Sequence, residues 1–341
     1  MKAQFKIGDR TIGPGNPTFI IAEAGSNHNR DLGKAHGLIE IAADAGADAV
    51  KFQSFLAERL VAKSEALPDG TNLCELFGKY ELPREWHGEL MDFARSLDIE
   101  FISSPFDFDA VDLLDCLDVC AIKIASGDLD NIPLITHIAS KKRPIILSTG
   151  MGSVGEVGRA LETIVRQGCE EVVLMHCVSS YPSPPEAMNL KAIETLRDAF
   201  KVPVGLSDHT IGMEIPIAAT ALGIDILEKH FTDARDQEGL DHSYSMEPSE
   251  LKGMVAAIRT VEKAIGTGEK VCSSVESGTK YYARRGIFAK RDIPPGKAIE
   301  RDDIKLVRPQ MGIAPVHLDI VIGRRAVKAI AQDEPITWEC V

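Results

Sequence analysis

Eight apolar, mostly β-branched runs alternate with segments of helical periodicity, and this pattern constrains the fold of the 341-residue chain more than any other feature. The apolar residues within each run are continuous rather than alternating, which is typical of parallel strands that are covered on their outer face. Eight strand–helix units with short connections favour a (β/α)8 barrel, because an open doubly wound sheet usually has about five or six strands. The predicted strands are Phe19–Gly25, Ala47–Ser54, Ile99–Phe106, Val119–Ser126, Arg143–Gly150, Glu171–Val178, Pro203–Thr210 and Ile224–Thr232.

The chain changes character after the eighth unit. The last barrel helix is predicted at Pro248–Ile265, and a polar, Ser-rich stretch that follows it has the composition of a linker. Short β-like runs separated by turn residues then continue to the C-terminus. We therefore predict a catalytic barrel at residues 1–270, a linker at 271–282 and a small β-rich domain at 283–341.

Charge and composition exclude several classes of protein. The net charge of −13 argues against a nucleic-acid-binding surface. No stretch approaches the roughly 18 apolar residues of a membrane span, and the first residues carry charges without an apolar core, so we expect neither a membrane anchor nor a signal peptide. The seven cysteines form no Cys-x-x-Cys pair, which favours reduced thiols and a cytoplasmic location.

Charged residues occupy strands that should be apolar throughout, namely Glu23, Lys51, Lys123, Glu228 and His230. A buried ammonium group needs an anionic partner or a shifted pKa. Gln53 shares a strand face with Lys51, and both lie near the strand end. The two lysines, together with Ser126 and Ser207, would form a binding site for a phosphate or a carboxylate at the barrel mouth. The alternative is that each lysine forms a structural ion pair, with Glu23 as the obvious candidate.

Two histidines end two consecutive strands, His209 and His230. Their spacing of 21 residues is about one strand–helix–strand repeat, so both imidazoles can point into one barrel mouth. Two imidazoles favour manganese, iron, cobalt or zinc over magnesium, and water or substrate oxygens would complete the coordination. The alternative is that each is a hydrogen-bonded core histidine.

One glycine-rich segment matches the dinucleotide-binding fingerprint formally. Gly150–Gly155 follows a predicted strand and opens a helix. Ser153 and Glu156 have the spacing of a helix capping box, which explains the segment more simply than a nicotinamide site does. Cys177 follows His176 near a strand end, and we interpret it as a packing residue rather than a nucleophile.

Seven motifs, in this order along the chain, resemble the sialic acid (N-acetylneuraminate) synthases, including the legionaminic and pseudaminic acid synthases. Residues 283–341, with Arg284-Arg-Gly-Ile-Phe-Ala and Val307-Arg308-Pro309, resemble the C-terminal antifreeze-like (SAF) domain of that family. The motifs are Ala22-Glu23-Ala-Gly-Ser-Asn-His28, Val50-Lys51-Phe-Gln53, Lys123-Ile-Ala-Ser126-Gly, Ile146-Leu-Ser-Thr-Gly-Met151, His176-Cys-Val-Ser-Ser-Tyr181-Pro, Leu206-Ser207-Asp-His209-Thr210 and Glu228-Lys-His230-Phe-Thr.

The resemblance implies a (β/α)8 barrel and a domain-swapped homodimer in which the C-terminal domain caps the partner's barrel. It implies that phosphoenolpyruvate condenses with an open-chain N-acylated aminohexose and that phosphate leaves with cleavage of its C–O bond. His209 and His230 would hold a divalent metal, Mn2+ or alternatively Mg2+ or Co2+. The resemblance assigns the other site residues as catalytic groups, Glu23, Lys51, Lys123 and Asp128, and as substrate-binding groups, Gln53, Ser126, Ser148, Tyr181, Ser207, Asp241 and Arg308 from the partner subunit.

One position departs from the family pattern, because many sialic acid synthases carry Ser-Gly-Glu where this chain has Ser126-Gly127-Asp128. The shorter carboxylate leaves the reaction class unchanged and weakens the case for N-acetylmannosamine as the sugar. Legionaminic or pseudaminic acid synthesis therefore remains an alternative. So do a Schiff-base aldolase that uses Lys123 as its nucleophile and a carbohydrate-binding protein with an inactive barrel.

Overall fold

A closed barrel of eight parallel strands forms the first of two units in the computed structural model, which describes all residues from 1 to 341. The units comprise Met1–Gly266 and Thr267–Val341. In the first unit the strands β3 to β10 follow one another around the barrel, and β10 pairs with β3 to close it. The strands of this unit are β1 (Phe5–Ile7), β2 (Arg10–Ile12), β3 (Phe19–Gly25), β4 (Ala49–Ser54), β5 (Glu100–Pro105), β6 (Ile122–Ile124), β7 (Ile145–Ser148), β8 (Val172–Cys177), β9 (Val204–Asp208) and β10 (Ile226–His230).

Helices connect successive barrel strands, so the predicted (β/α)8 architecture is confirmed. Strand β3 has the predicted bounds, and the other seven are shorter than predicted at one or both ends, since the apolar runs extend past the residues that pair. The helices are α1 (Leu32–Ala45), α2 (Ala57–Leu60), α3 (Leu73–Gly78), α4 (Trp86–Ser96), α5 (Phe108–Cys116), α6 (Ile132–Ser140), α7 (Val154–Arg166), α8 (Ala192–Phe200), α9 (Glu214–Ala221) and α10 (Pro248–Ile265). None of the helices is both long and apolar enough to cross a membrane.

Local sequence signals explain where the helices begin and end. Asp31 caps α1 by accepting a hydrogen bond from the backbone N–H of Lys34, and Gly46, at φ +80°, ends that helix. At α7 the capping box of Ser153 and Glu156 is formed in both directions, which confirms the interpretation of the glycine-rich segment as a strand-to-helix turn.

An antiparallel hairpin formed by β1 and β2 precedes the barrel, and the sequence did not predict it. Its residues Phe5, Ile7 and Ile12 belong to the same apolar cluster as the inward-facing side chains at the beginning of the barrel strands. The hairpin therefore packs at the N-terminal end of the barrel. The inward-facing partners in this cluster are Phe19, Ile21, Ala49, Ile102, Ala121, Ile146, Val173, Met175 and Ile226.

This apolar packing occupies the N-terminal half of the barrel interior, and polar side chains replace it toward the strand ends. A second and larger apolar cluster joins the outward faces of the strands to the helices. The fully buried charged groups of the cavity, Glu23, Lys51, Lys123 and Glu228, lie toward the C-terminal ends of their strands. The connection from Phe55 to Leu82 contains the short helices α2 and α3.

The second unit has its own small core, composed mainly of isoleucines such as Ile287, Ile299 and Ile336. Its strands β11 (Gly286–Ala289) and β12 (Ile304–Val307) pair in antiparallel fashion. Helix α11 (Ser277–Ala283) covers the second half of the stretch predicted as a linker, and a short helix, α12 (Leu318–Val321), lies later in the unit.

Candidate active site

A cavity of about 60 Å³ lies at the C-terminal ends of the barrel strands, and every one of the eight strands contributes at least one side chain to it. This is the end at which barrel enzymes carry their catalytic groups. The lining residues are Glu23, Lys51, Gln53, Ser104, Phe106, Lys123, Ala125, Ser126, Ser148, Cys177, Tyr181, Ser207, His209, Glu228 and His230.

Strand periodicity explains why charged groups gather here. Glu228 and His230 line the cavity while Lys229 between them does not, because successive side chains of a strand point to opposite faces. The same alternation brings Lys51 and Gln53 to the cavity and leaves Phe52 in the apolar layer outside it. The parallel register places Glu23 beside both Lys51 and His230.

Glu23, Lys51, Lys123 and Glu228 form a buried charge cluster. The Nζ atom of Lys51 lies 2.7 Å from Oε2 of Glu23 and 3.6 Å from Oε1 of Glu228, and the Nζ atom of Lys123 lies 3.8 Å from Oε2 of Glu228. Each side chain in the cluster is at most 5% exposed. Lys51 therefore forms the ion pair with Glu23 that the sequence analysis gave as the alternative to substrate binding. This ion pair lines the same cavity as Lys123.

Neighbouring hydroxyl groups and an amide complete the hydrogen bonding of this cluster. Lys51 donates to Ser104 at 3.2 Å and Lys123 donates to Ser148 at 2.6 Å. The hydroxyl of Ser207 donates to Oε1 of Glu228 at 3.2 Å, and the amide of Gln53 donates to Oε1 of Glu23 at 2.9 Å. Oε2 of Glu228 has no hydrogen-bond partner, whereas Oε2 of Glu23 faces the ammonium group of Lys51 at 2.7 Å.

Burial and the neighbouring charges shift the pKa of each member of the cluster. Burial disfavours the charge of Glu228, but Lys123 and Lys51 outweigh it and bring the pKa of this carboxyl to about 2. Burial opposes the charge of Lys51, yet the carboxylates of Glu228 and Glu23 hold its pKa above the usual value. Burial lowers the pKa of Lys123 and raises that of Glu23. These shifts favour the ionised form of Glu228 and the protonated form of Lys51.

The imidazoles of His209 and His230 lie side by side, with ring centroids 5.4 Å apart. Nδ1 of His209 lies 2.9 Å from the carbonyl oxygen of Val178, which fixes the ring when that nitrogen carries the proton. Nδ1 of His230 is buried without a hydrogen-bond partner, and burial lowers the pKa of this imidazole. A neutral imidazole with an unpaired buried nitrogen has the chemistry of a metal ligand, so the pair fits a divalent transition metal.

No third histidine, cysteine or carboxylate completes a compact metal-binding group with them. The nearest carboxylate is that of Asp241, whose Oδ2 lies 3.9 Å from Nδ1 of His230. Any metal bound at this pair would therefore take most of its ligands from water or substrate.

Asp241 is held in place from two sides. Tyr244 donates its hydroxyl to Oδ1, and the backbone N–H of Ser26 donates to Oδ2 at 3.2 Å. Gly25 has φ +53°, and a Cβ atom there would lie 2.6 Å from Oδ2 of Asp241. The glycine thus permits the approach of Asp241 to the histidine pair.

Two tyrosines form an aromatic rim beside the histidines. The ring of Tyr181 lies 4.3 Å from that of His209 and 5.5 Å from that of Tyr244, centroid to centroid. Tyr181 is 54% exposed and Tyr244 is buried. An incoming ligand would therefore contact Tyr181 before it reached the imidazoles.

The other predicted site residues take different places. Ser126 lines the cavity, and its hydroxyl accepts a hydrogen bond from the backbone N–H of Gly150 at 3.1 Å. Asp128 is half-buried outside the cavity lining, where Asn131 donates to it at 3.0 Å and burial raises the pKa of its carboxyl. Arg308 belongs to the second unit and is exposed.

The geometry adds residues that the sequence analysis did not place in the site. Glu228 was recognised only as a charge within a strand, although its two-residue spacing from His230 already puts both side chains on one face. Ser104 and Tyr244 carry no comparable signal. Their roles depend on contacts between segments that are distant in the sequence.

Comparison with known proteins identifies the family of the chain. The NeuB family model matches residues 38–270, and the SAF domain model matches residues 284–341. The chain is 42% identical to the N,N'-diacetyllegionaminic acid synthase of Campylobacter jejuni, covering 94% of this chain and 98% of the relative. It is 35% identical to the pseudaminic acid synthase of Helicobacter pylori, with coverages of 94% and 97%.

A solved structure extends the similarity to three dimensions. The N-acetylneuraminic acid (sialic acid) synthetase of Leptospira borgpetersenii, determined in complex with citrate, superimposes with a TM-score of 0.75. That protein is 36% identical, and the match covers 81% of this chain and 94% of the other. The chain therefore belongs to the NeuB family, and it is an enzyme of the nonulosonic (sialic) acid synthase type with a C-terminal SAF domain.

Proposed function

We propose that this enzyme condenses phosphoenolpyruvate with an open-chain N-acylated aminohexose and releases inorganic phosphate. The observation that carries the proposal is the meeting of two lysines and two histidines in one cavity at the C-terminal end of the barrel. The lysines match the anionic substrate and the histidines match a metal that activates an aldehyde. The groups for binding the anionic substrate and for holding the metal that activates the aldehyde thus lie in one site.

In the proposed reaction, carbon 3 of phosphoenolpyruvate forms a bond with the aldehyde carbon of the sugar. Water adds at carbon 2, and phosphate departs with cleavage of its C–O bond. The nine-carbon acid keeps the oxygen of the added water at carbon 2, while the bridging oxygen leaves with the phosphate. The reaction needs no oxidant or reductant.

Lys51 and Lys123 would bind the carboxylate and the phosphate of phosphoenolpyruvate. Ser126, Ser148 and Ser207 line the same cavity and would donate hydrogen bonds to those oxygens. Glu228 remains ionised between the lysines and keeps both ammonium groups directed toward the cavity. Tyr181, exposed at the rim, would close over the bound phosphoenolpyruvate.

A divalent metal held by His209 and His230, with Mn2+ favoured, would act as a Lewis acid toward the sugar aldehyde. Asp241, beside His230, would contact the sugar, and Glu23, with Gln53 attached to it, would orient the sugar. The raised pKa of Glu23 suits a carboxyl group that exchanges a proton during the reaction. Asp128, whose pKa is also raised, would reach substrate or the attacking water through a bridging water molecule.

We propose further that the enzyme acts as a homodimer in which Arg308 of the C-terminal domain completes the active site of the partner subunit. We also propose 2,4-diacetamido-2,4,6-trideoxymannose, the precursor of legionaminic acid, as the sugar. The support for this choice is the higher identity to the legionaminic acid synthase, 42%, than to the pseudaminic acid synthase, 35%.

Phosphate release from phosphoenolpyruvate with Mn2+ tests the function against a panel of sugars. The panel contains N-acetylmannosamine, its 6-phosphate, 2,4-diacetamido-2,4,6-trideoxymannose and the corresponding altrose. We expect release with the diacetamido-mannose that a chelator abolishes. Release with another member would replace the sugar assignment, and no release with any member would overturn the proposed reaction for these substrates.

A second candidate, a Schiff-base aldolase, is favoured by one observation. Burial lowers the pKa of Lys123, which is how a nucleophilic lysine is activated. Such a mechanism gives the histidine pair no role. Borohydride would trap a keto-acid substrate on Lys123 in an aldolase, and we expect no such adduct here.

A further inference from the structure

Asp208 and Lys229 form an ion pair that is almost completely removed from solvent. The Nζ atom of Lys229 lies 2.5 Å from Oδ2 of Asp208, and the two side chains are 1% and 0% exposed. The two residues occupy paired positions on β9 and β10. Neither lines the cavity, so the pair belongs to the opposite face of these two strands.

The pair is tied into the backbone next to the histidines. Asp208 accepts hydrogen bonds from the backbone N–H of Thr210 at 3.2 Å and from its hydroxyl at 2.9 Å. Lys229 donates to the carbonyl oxygen of Thr210. His209 therefore lies between two residues that the ion pair holds, and His230 directly follows Lys229.

Stability alone does not explain this ion pair. Moving two charges out of water costs about as much as their attraction returns, and an apolar pair of similar volume is often as stable. The best-attested use of buried ionic groups is to fix register. In a strand, a slip of one residue would turn the inward side chains outward. Register between β9 and β10 is the relationship that sets the distance between the two imidazoles.

We propose that Asp208 and Lys229 are positioning residues, which hold His209 and His230 at the separation needed to bind one divalent metal. The inference rests on the proposed function, since it assigns a metal to the histidine pair. It gives a role in positioning the histidines to Asp208 and Lys229, which do not line the cavity.

The test measures metal binding directly, without turnover. Mn2+ is titrated into the full-length protein and the free ion is followed by electron paramagnetic resonance, while phosphoenolpyruvate binding is measured by calorimetry without metal. The variants are Lys229→Met and the double variant Asp208→Asn with Lys229→Met. The double variant leaves no uncompensated buried charge, so it remains folded and informative if the single variant does not.

The control is Arg259→Met. Arg259 pairs with Asp48 at 2.8 Å, and Asp48 directly precedes β4 at the N-terminal end of the barrel, away from the cavity. This variant removes a cation from a barrel ion pair without touching β9 or β10. Its thermal unfolding gives the loss of stability, and its Mn2+ titration shows whether such a loss by itself weakens Mn2+ binding.

We expect both Asp208–Lys229 variants to bind Mn2+ about tenfold more weakly, in the range for outer-sphere partners of metal ligands. Affinity for phosphoenolpyruvate should change less than about twofold, and the control should retain its affinity for Mn2+. Wild-type affinity for Mn2+ in the folded double variant would overturn the inference. So would parallel weakening of both ligands, which would mark a general loosening of the barrel. If the wild-type protein itself bound no Mn2+, the metal assignment would fail first and this inference with it.

Discussion

The Nζ atom of Lys51 lies 2.7 Å from Oε2 of Glu23, on the neighbouring strand, and both side chains are buried at the mouth of the barrel. Glu228 approaches the same ammonium from another strand at 3.6 Å. The two carboxylates stabilise the buried ammonium group of Lys51. The same cation can also exchange one of these partners for an anionic substrate, which gives the ion pair a role in binding as well as in packing.

Lys51→Met should therefore affect both binding and stability. Without the ammonium group, Glu23 and Glu228 repel each other in a buried site, and we expect the free energy of unfolding to fall by about 3 kcal/mol. Phosphoenolpyruvate should bind at least about tenfold more weakly, since a charge-assisted contact is lost. Urea unfolding and calorimetry measure the two effects.

Lys2→Met is the matched control for this variant. Lys2 pairs with Glu171 at 2.6 Å on the protein surface, where ion pairs contribute little. We expect neither stability nor substrate affinity to change. An unaltered affinity for phosphoenolpyruvate in Lys51→Met would remove Lys51 from the substrate site.

His230→Ala should abolish Mn2+-dependent phosphate release and leave the fold intact, because it removes one of the two imidazoles that we propose as metal ligands. Mn2+ titration followed by electron paramagnetic resonance checks the binding step separately from turnover. His137→Ala, at a partly exposed position on α6, should behave like the wild-type protein. Wild-type turnover in His230→Ala would contradict the metal assignment.

The sequence predicted the features that depend on local patterns and missed those that depend on contacts between distant segments of the chain. Continuous apolar runs predicted every barrel strand, because burial on both faces of a parallel strand leaves a local pattern. Charged residues within those runs predicted part of the cavity lining, because a charge in an otherwise apolar strand is also visible in the local sequence. Lys51, Lys123 and His230 are examples. The β1–β2 hairpin and the contact of Tyr244 with Asp241 were missed, since both depend on packing between distant segments.

The stability of the protein should decrease below neutral pH because of two buried histidines. Burial lowers the pKa of His28 and of His87 to about 4, from an unfolded value near 6.5. The unfolded chain therefore binds more protons than the folded protein between those values, so this stability is present above pH 6.5 and is lost as the pH falls toward 4. His87→Gln should reduce the loss between pH 8 and pH 5 by about 2 kcal/mol.

Urea unfolding at the two pH values measures this difference. His317→Gln, at an exposed histidine of the second unit, is the control, because it leaves both buried imidazoles in place, and it should lose as much stability on acidification as the wild-type protein. If His87→Gln lost as much stability on acidification as the wild-type protein does, the buried His87 would not be the source of the effect.

Gly25→Ala should reduce turnover more than it reduces stability. At φ +53° an alanine is strained, and its Cβ atom would lie 2.6 Å from Oδ2 of Asp241, which must move away from His230. We expect a higher KM for the sugar. The control is Gly37→Ala in α1, where a Cβ atom meets no atom within 4 Å and helix propensity favours the change. If Gly25→Ala and Gly37→Ala changed the KM for the sugar equally, Gly25 would have no special role in the site.

Arg308→Ala should raise the KM for the sugar or lower turnover, since we assign Arg308 to the active site of the partner subunit. Mixing this variant with His230→Ala should restore activity, because one site of the mixed dimer then contains both an intact barrel and an intact Arg308. Mixtures that are no more active than the separate variants would contradict a shared site.

The fate of the bridging oxygen of phosphoenolpyruvate tests the central claim most directly. The substrate is labelled with 18O at the oxygen between carbon 2 and phosphorus and is incubated with the enzyme, Mn2+ and 2,4-diacetamido-2,4,6-trideoxymannose. Mass spectrometry then follows the label. The proposed reaction predicts a nine-carbon acid without label and labelled inorganic phosphate, both dependent on sugar and metal. Label retained in the organic product, or phosphate released equally without the sugar, would contradict it.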